Sequence, residues 1–171
     1  RSDVIALVVD ASEGLTEQDA KVLGLAMERG RAVVLCLNKW DLVKKEDDAY
    51  RAHLMERSKD ILSFSKWLKV VKLSALTGQG IEKFYTGINE AFDAFQRRVT
   101  TSDVNRLFED IIDHHPPPMN KGRSVRLYYA TQASTKPPTF VVVSNHPDAI
   151  HFSYKRYVEN RIRETFDFEG T

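Results

Sequence analysis

The stretch AVVLCLNKWD, Ala32 to Asp41, places the tightest limit on what this chain can become. Six apolar residues in succession leave no face for water, so the segment reads as a strand covered on both sides. It then stops at Asn38-Lys39-Trp40-Asp41, which gathers an amide, an ammonium and a carboxylate at one strand end. Two further runs share its character: VIALVVDA (Val4 to Ala11), read as buried on both faces, and LKVVKLSA (Leu68 to Ala75). Between the first two, Thr16 with Asp19 forms a capping box for a helix to about Arg29, with Val22, Leu23, Leu25 and Ala26 as its apolar face and Gly30 at its C-cap. An amphipathic helix follows from about Asp48 to Phe64, with Leu54, Ile61 and Leu62 inward. After the turn LTGQG, a helix from about Ile81 to Arg98 carries Phe84, Ile88, Phe92 and Phe95 at helical spacing. Strand alternating with helix predicts an α/β fold, a parallel sheet of three strands covered by helices.

In such sheets ligands meet the residues just beyond the carboxyl ends of strands. Asn38-Lys39-Trp40-Asp41 ends the second strand and Ser74-Ala75-Leu76 ends the third, so both polar stretches arrive at one sheet edge. The groups gathered there suit guanine, which presents N1–H and an exocyclic amino group side by side, next to a carbonyl at O6. A carboxylate matches that donor pair as a bidentate acceptor, and Asp41 is assigned the part. Asn38 can meet the purine N7 and tie the neighbouring loop. Lys39 can lay its methylene stem along the base while its ammonium reaches solvent or a loop carbonyl. The Ala75 N–H is the candidate donor to O6, the Ser74 hydroxyl braces the turn, and Leu76 belongs to the same loop. The ring of Trp40 is expected to pack on the adjacent helix. Adenine would leave the Asp41 carboxylate unpaired, at a cost of about 1–3 kcal/mol or more.

Composition removes other classes. A net charge of +1 is not that of a globally basic nucleic-acid binder, and the single Cys36 lies inside an apolar run and permits no disulfide framework. No signal-like start and no apolar stretch near eighteen residues is present, so a soluble, cytoplasmic protein with no membrane span is expected. None of the eight glycines lies in a G-x-x-x-x-G-K-[ST] phosphate loop, and no D-x-x-G reads as a switch following Mg²⁺ and the γ-phosphate. Phosphoryl transfer depends on those parts, so the chain is expected to be a C-terminal piece of a longer polypeptide, with its first strand an edge meant to be paired.

The pattern changes near Arg97 to Thr101. DVNRLFEDIIDHH is an amphipathic helix with Val104, Leu107, Phe108, Ile111 and Ile112 on one side, ended by the prolines of HPPP. Two strands, SVRLYYATQ and TFVVVSN, then a helix from about Ala149 to Thr165 with Tyr157, Val158 and Ile162 inward, make a small α+β domain. FDFEGT reads as the approach to a further strand. From Lys121 to Arg163 the local net charge is +6, and Lys121, Arg123, Arg126, Lys155, Arg156 and Arg163, near Tyr128 and Tyr129, form a candidate RNA-contacting patch. The four histidines His114, His115, His146 and His151 show no metal-ligand spacing and read as loop or cap residues.

Taken in order, VDASEGLTEQDAKVLGLAMERGRAVVLCLNKWDL, SALTGQGIEKF, HPPP, PPTFVVVSN and SYKRYVENRIRETFDFEGT resemble the Der (EngA) family of bacterial ribosome-assembly GTPases. The resemblance spans the whole chain. It implies the latter part of the second of two tandem GTPase domains over residues 1–98, and a KH-like domain over residues 99–171 that lacks its last strand. It further implies GTP and GDP as ligands, Mg²⁺ only in the full-length protein, and base-specificity residues Asn38, Lys39 and Asp41 with Ser74 and Ala75 in the following loop. The implied partners are the large ribosomal subunit with its rRNA and the protein's own upstream GTPase domains, the protein acting as a monomer. The chain has no G-x-x-G loop of the kind that grips single strands, so RNA contact would rest on charge and shape.

Two functions follow. In one, the chain is part of a GTPase in which the helix from Ile81 to Arg98 links nucleotide state to an rRNA-contacting domain. In the other, it is a KH-like RNA- or protein-binding module whose nucleotide loop does not function. The guanine assignment is tested by Asp41→Asn, which is expected to shift preference from guanine to xanthine nucleotides in a competition assay. Unchanged guanine selectivity would take Asp41 out of that role.

Overall fold

The computed structural model describes residues 2–62, 65, 67–119, 122 and 124–171. They form two compact units, Arg1–Phe95 with Glu169–Thr171, and Gln96–Phe168.

The first unit is built on β1 (Val4–Asp10), β2 (Ala32–Asn38) and β3 (Lys69–Lys72), in the order β1-β2-β3 and parallel throughout. The central strand is the uninterrupted apolar run, and its side chains divide by alternation as strand geometry requires. Val33, Leu35 and Leu37 join a core with Leu23 of α1 (Glu17–Glu28) and Leu54 of α3 (Asp48–Ile61). Ala32, Val34 and Cys36 join another with Ala91 and Phe95 of α4 (Ile81–Gln96). Burial pushes the Cys36 thiol up to about 11, so it is a small hydrophobe and not a nucleophile. Each fully buried Val or Leu contributes about 1.5–3 kcal/mol, which explains why this strand holds its two helical layers.

β1 differs from expectation. Val8 is 55% exposed and Ala6 is exposed beside it, because on their face of the sheet the α4 cluster packs over β2 and β3 and reaches β1 only at Val4. On α1, Leu23 and Ala26 are buried as expected, whereas Val22 and Leu25, expected on the same apolar face, are 44% and 51% exposed, since the buried stripe of this helix is narrower than the run of apolar residues. The capping box is present: the Thr16 N–H donates to Asp19 Oδ2 (2.9 Å) and the Asp19 N–H to Thr16 Oγ1 (3.2 Å). At the other end Gly30 has φ +62°, and the Gly30 and Arg31 N–H groups donate to Met27 and Ala26 carbonyls, a Schellman closure. The second amphipathic helix, expected to run to about Phe64, ends at Ile61; the Ile61 side chain and Phe64 lie outside what is described. One short helix, α2 (Trp40–Val43), has no periodic signal of its own and follows directly from the turn at Lys39.

The last residues close on the same unit. The Val33 N–H donates to the Gly170 carbonyl (2.7 Å) and the Gly170 N–H to the Trp67 carbonyl (2.9 Å), while Glu169 and Glu90 both pair with Lys69. FDFEGT thus ends against β2 in this structure, where a strand approach was expected.

The second unit packs α5 (Thr101–His114) and α6 (Phe152–Phe166) on a two-stranded antiparallel sheet of β4 (Leu127–Ser134) and β5 (Thr139–Ser144). Val104, Leu107, Phe108 and Ile111 are buried as the periodicity of α5 requires, and Tyr154, Val158 and Ile162 face them from α6. The helix expected to reach Arg98 stops at Gln96. The Val99 N–H leaves the helical pattern to donate to Gln132 Oε1 (2.7 Å), and Gln132 Nε2 donates to the Arg97 carbonyl (2.9 Å), so a buried glutamine converts the segment before α5 into a fixed connector. Arg97 in turn donates to the Phe166 and Asp167 carbonyls at the end of α6. His115 carbonyl accepts from the buried Tyr154 hydroxyl (2.9 Å), whose pKa burial pushes up to about 12.

That last shift has a defined sign. A tyrosine held above its ordinary value of about 10 contributes stability below pH 10 and loses it as pH rises through 12. Tyr154→Phe is therefore expected to cost about 1 kcal/mol at neutral pH. Denaturant melts should show its deficit relative to wild type shrinking from pH 10 upward, and a constant deficit would contradict the assignment.

Candidate functional site

Parallel pairing brings the polar strand tips together. Asp10 stands opposite Asn38 in the β1–β2 register, and the Leu73 N–H beyond β3 donates to the Leu37 carbonyl (3.0 Å). Three side chains and one turn meet there.

Asn38 is the joint. Its Oδ1 accepts from the Ala75 N–H at 2.9 Å, its carbonyl accepts from Ala11 at 2.9 Å, and the Trp40 N–H donates to the Leu73 carbonyl at 3.0 Å. One residue thus ties the tip of β2 to the loops on both sides. The Ala75 N–H, expected to face a purine O6, is already engaged by the Asn38 side chain, so O6 would meet it only as a second acceptor. The Asn38 Oδ1 reaches it because the β2 and β3 tips lie side by side. The remaining Asn38 Nδ2 donors are left for a ligand.

The turn after β3 is closed on itself. Ser74 is fully buried; its Oγ accepts from the Thr77 N–H (3.2 Å), and its own N–H donates to the Gln79 carbonyl (2.8 Å). Gly80 is obligatory, since a Cβ would lie 2.3 Å from the Lys72 carbonyl oxygen. Leu76 is 89% exposed, so its side chain takes no part in closing this loop.

Asp41 is half-buried on α2, and among the described residues its carboxylate has no hydrogen-bond or ion-pair partner. Trp40 is buried in the core that includes Leu54 of α3, and Lys72 Nζ lies 4.5 Å from its ring centroid, so the ring is held from both the helix and β3. A cavity of about 1000 Å³ beside β3 is lined by Leu15, Trp40, Met55, Leu68 and Val70 among others. None of Asn38, Asp41 or Ala75 lines it, so it is distinct from this cluster.

Lys39 departs from expectation. It adopts φ +59°, and its ammonium pairs with Asp10 Oδ2 at 2.5 Å instead of reaching solvent or a carbonyl. The cause is the left-handed turn, which sends the side chain back over β1 to a carboxylate at the neighbouring tip. Asp10 Oδ1 accepts from the Ser12 N–H (3.0 Å) and hydroxyl (2.6 Å). Lys39 first, then Ser12, hold the Asp10 carboxyl below the usual carboxylate range, and Asp10 raises the Lys39 ammonium in return. Sequence reasoning missed Asp10. The signal was its position as the last residue of the first apolar run, level with Asn38.

In the second unit the described candidate basic residues differ in exposure. Lys121 and Arg123 lie outside the described residues. Arg126 is exposed at the start of β4, and Lys155 and Arg156 are exposed on α6. Arg163 is half-buried beside Glu159 (3.6 Å), and desolvation lowers its pKa, so it is not an equivalent of Arg156 although both lie on one stripe of the helix. A bulge at Tyr128 leaves both tyrosines exposed on the sheet, whose inner face carries Ala130 against the helices. The one D-x-x-G spelling, Asp167 to Gly170, is a helix end: Asp167 is the left-handed C-cap of α6. Among the described residues no three His, Cys, Asp or Glu side chains are placed to hold a metal ion.

Comparison with known proteins gives two family matches that overlap in sequence. Residues 1–117 match the model of the elongation factor Tu GTP binding domain, and residues 98–171 match that of the KH-domain-like C-terminal domain of EngA bacterial GTPase enzymes. GTPase Der of Geotalea uraniireducens is 44% identical over all 171 residues, which make up 38% of that protein. GTPase Der of Moorella thermoacetica is 44% identical over 100% of the chain and 39% of its own length, and that of Caldanaerobacter subterraneus 41% identical over 99% and 38%. The chain therefore spans under two-fifths of the length of these curated relatives.

Removing the Asn38 amide should free the turn after β3. Asn38→Ala is expected to cost about 1 kcal/mol and to accelerate amide hydrogen exchange at Ala75, while exchange at Leu73 stays slow. Undiminished protection of Ala75 would show that the tie does not hold the loop.

Proposed function

We propose a function on the ground that the chain belongs to the EngA (Der) GTPase family, in which a GTP-binding domain of the elongation factor Tu type is joined to a KH-domain-like domain. The first unit supplies the guanine-reading edge of a GTPase, and the second contacts rRNA or the protein's other domains. The observation that carries this reading is the Asn38–Ala75 bond of 2.9 Å, which fixes the two loops next to an Asp41 carboxylate that has no internal partner among the described residues.

That arrangement supports base recognition directly. Asp41 accepts the guanine N1–H and amino group, Asn38 donates toward N7, and the Lys39 stem borders the base. A buried acceptor left unpaired by the wrong base is the source of discrimination. Bound GTP would bring the bond to be hydrolysed, and this chain's part is to hold and orient the base. The donor set here does not suit Mg²⁺ or the phosphates: no metal-holding cluster is found among the described residues and the sequence contains no phosphate loop. Residues that hold them would belong to other parts of a polypeptide of the relatives' length.

Exposed Arg126, Lys155 and Arg156 support contact with a phosphate backbone, and in this reading the partner is rRNA of the large ribosomal subunit during its assembly. None of the described helices is long and apolar enough to cross a membrane. A cytoplasmic monomer fits this role.

Titration of GDP into this chain and into the full-length polypeptide tests the first part. Tight binding is expected only when the phosphate-binding residues are supplied. Equal, weak behaviour of both would favour a binding module with an inactive nucleotide loop. For the second part, Lys155→Glu with Arg156→Glu is expected to weaken rRNA association and reduce its logarithmic salt slope by about 2. An unaltered slope would leave those residues as solvated surface.

A further inference from the structure

The ion pair between Lys39 and Asp10 is not explained by stability. Lys39 is more than half exposed, and a surface pair of this kind contributes little while immobilising a side chain with four rotatable bonds. The left-handed backbone of Lys39 adds to the cost, since a non-glycine residue at φ +59° is held there only by its surroundings. Two unfavourable features at one residue, on the edge where a ligand is expected, point to a role in binding.

The surroundings also show how the geometry is kept. The two oxygens of Asp10 are divided: Oδ1 takes both the Ser12 N–H and hydroxyl, and Oδ2 takes the Lys39 ammonium. The Ser12 carbonyl then accepts from the Tyr50 hydroxyl of α3 at 2.8 Å. A chain of bonds thus runs from a core-packed helix through Ser12 and Asp10 to Lys39. Asp10 is itself fixed by strand pairing opposite Asn38, the residue that ties the other loop. Lys39 is held at its backbone by the turn and at its ammonium by Asp10, so its methylene stem becomes a stationary wall.

We propose that Asp10 is a positioning residue for guanine-nucleotide binding, which fixes the stem of Lys39 beside the base, with Ser12 holding Asp10 in turn. This rests on the guanine reading given above. Its physical basis is preorganisation: a stem ordered before the ligand arrives need not be ordered on binding, and the gain falls mainly on dissociation. The lowered pKa of Asp10 fits a carboxylate kept ionised for this purpose. No bond is made or broken.

A double-mutant cycle in the full-length polypeptide tests it. Asp41→Asn is used as the background and fluorescent xanthosine diphosphate as the probe, so that binding reports this site even beside another guanine site. Asp10→Asn is expected to weaken binding about tenfold, chiefly through faster release. In a Lys39→Met background, which keeps the stem and removes the charge, the same change should have little further effect. Ser12→Ala, a milder change, should move release in the same direction and likewise lose its effect with Lys39→Met. Equal effects of Asp10→Asn with and without Lys39, or none at all, would overturn the proposal. If Asp41→Asn alone fails to bring xanthosine diphosphate binding, the guanine reading fails and this inference goes with it. If that switch works and the cycle is additive, only the role of Asp10 is lost.

Discussion

The burial of β2 on both faces is the constraint on which the first unit rests. A strand with water on one side could alternate polar and apolar residues; this one cannot, and its side chains divide between two separate helical layers. Backbone pairing on either edge with β1 and β3 then leaves only the two ends of the strand for polar groups, Arg31 before it and Asn38 at its carboxyl tip. Asn38, Lys39 and Asp41 are at that tip because the apolar run ends there. The packing that stabilises the domain is therefore also what aims its functional groups, and a change in the register of β2 would disturb both at once.

The tips are joined by polar bonds that the core makes worthwhile. Asn38 reaches the Ala75 N–H, Trp40 reaches the Leu73 carbonyl, and Asp10 reaches Lys39. The two hydrogen bonds are modest alone, about 0.5–1.5 kcal/mol net each, and the exposed ion pair adds little. Their value lies in removing freedom from loops that would otherwise sample many conformations. Asp41 is the exception in this network, a carboxylate without an internal partner among the described residues, and a binding site needs such a group to be available.

The second unit solves a different problem with its own core. Two strands cannot form a stable sheet in water without a partner layer, and α5 and α6 supply it through Ile111, Tyr154, Val158 and Ile162. Its buried Gln132 holds the segment before α5 by two bonds to backbone, which leaves no polar side-chain atom unmet at that point. The described basic side chains differ in their surroundings: Arg161 is paired with Asp110 and Arg163 lies beside Glu159, while Lys155 and Arg156 are exposed. A tally of basic residues along the chain cannot separate these cases, because pairing partners such as Asp110 lie far away in sequence.

Local chemistry accounts for what was legible in the residues alone. The unbroken apolar run from Ala32 to Leu37, the Thr16–Asp19 box, Gly30 and the spacing of Val104, Leu107, Phe108 and Ile111 each encode an element through neighbours a few residues apart. Strand–helix alternation placed Asn38 and Ala75 on the same edge. What could not be read there depends on residues remote in sequence. The exposure of Val8 follows from how far the α4 layer extends over the sheet, the engagement of the Ala75 N–H from the proximity of two tips, and the half-burial of Arg163 from the packing of its unit. The pairing of Lys39 with Asp10, twenty-nine positions earlier, belongs with these. Periodicity reports which face of an element is covered, but the identity of the covering group is set by three-dimensional packing.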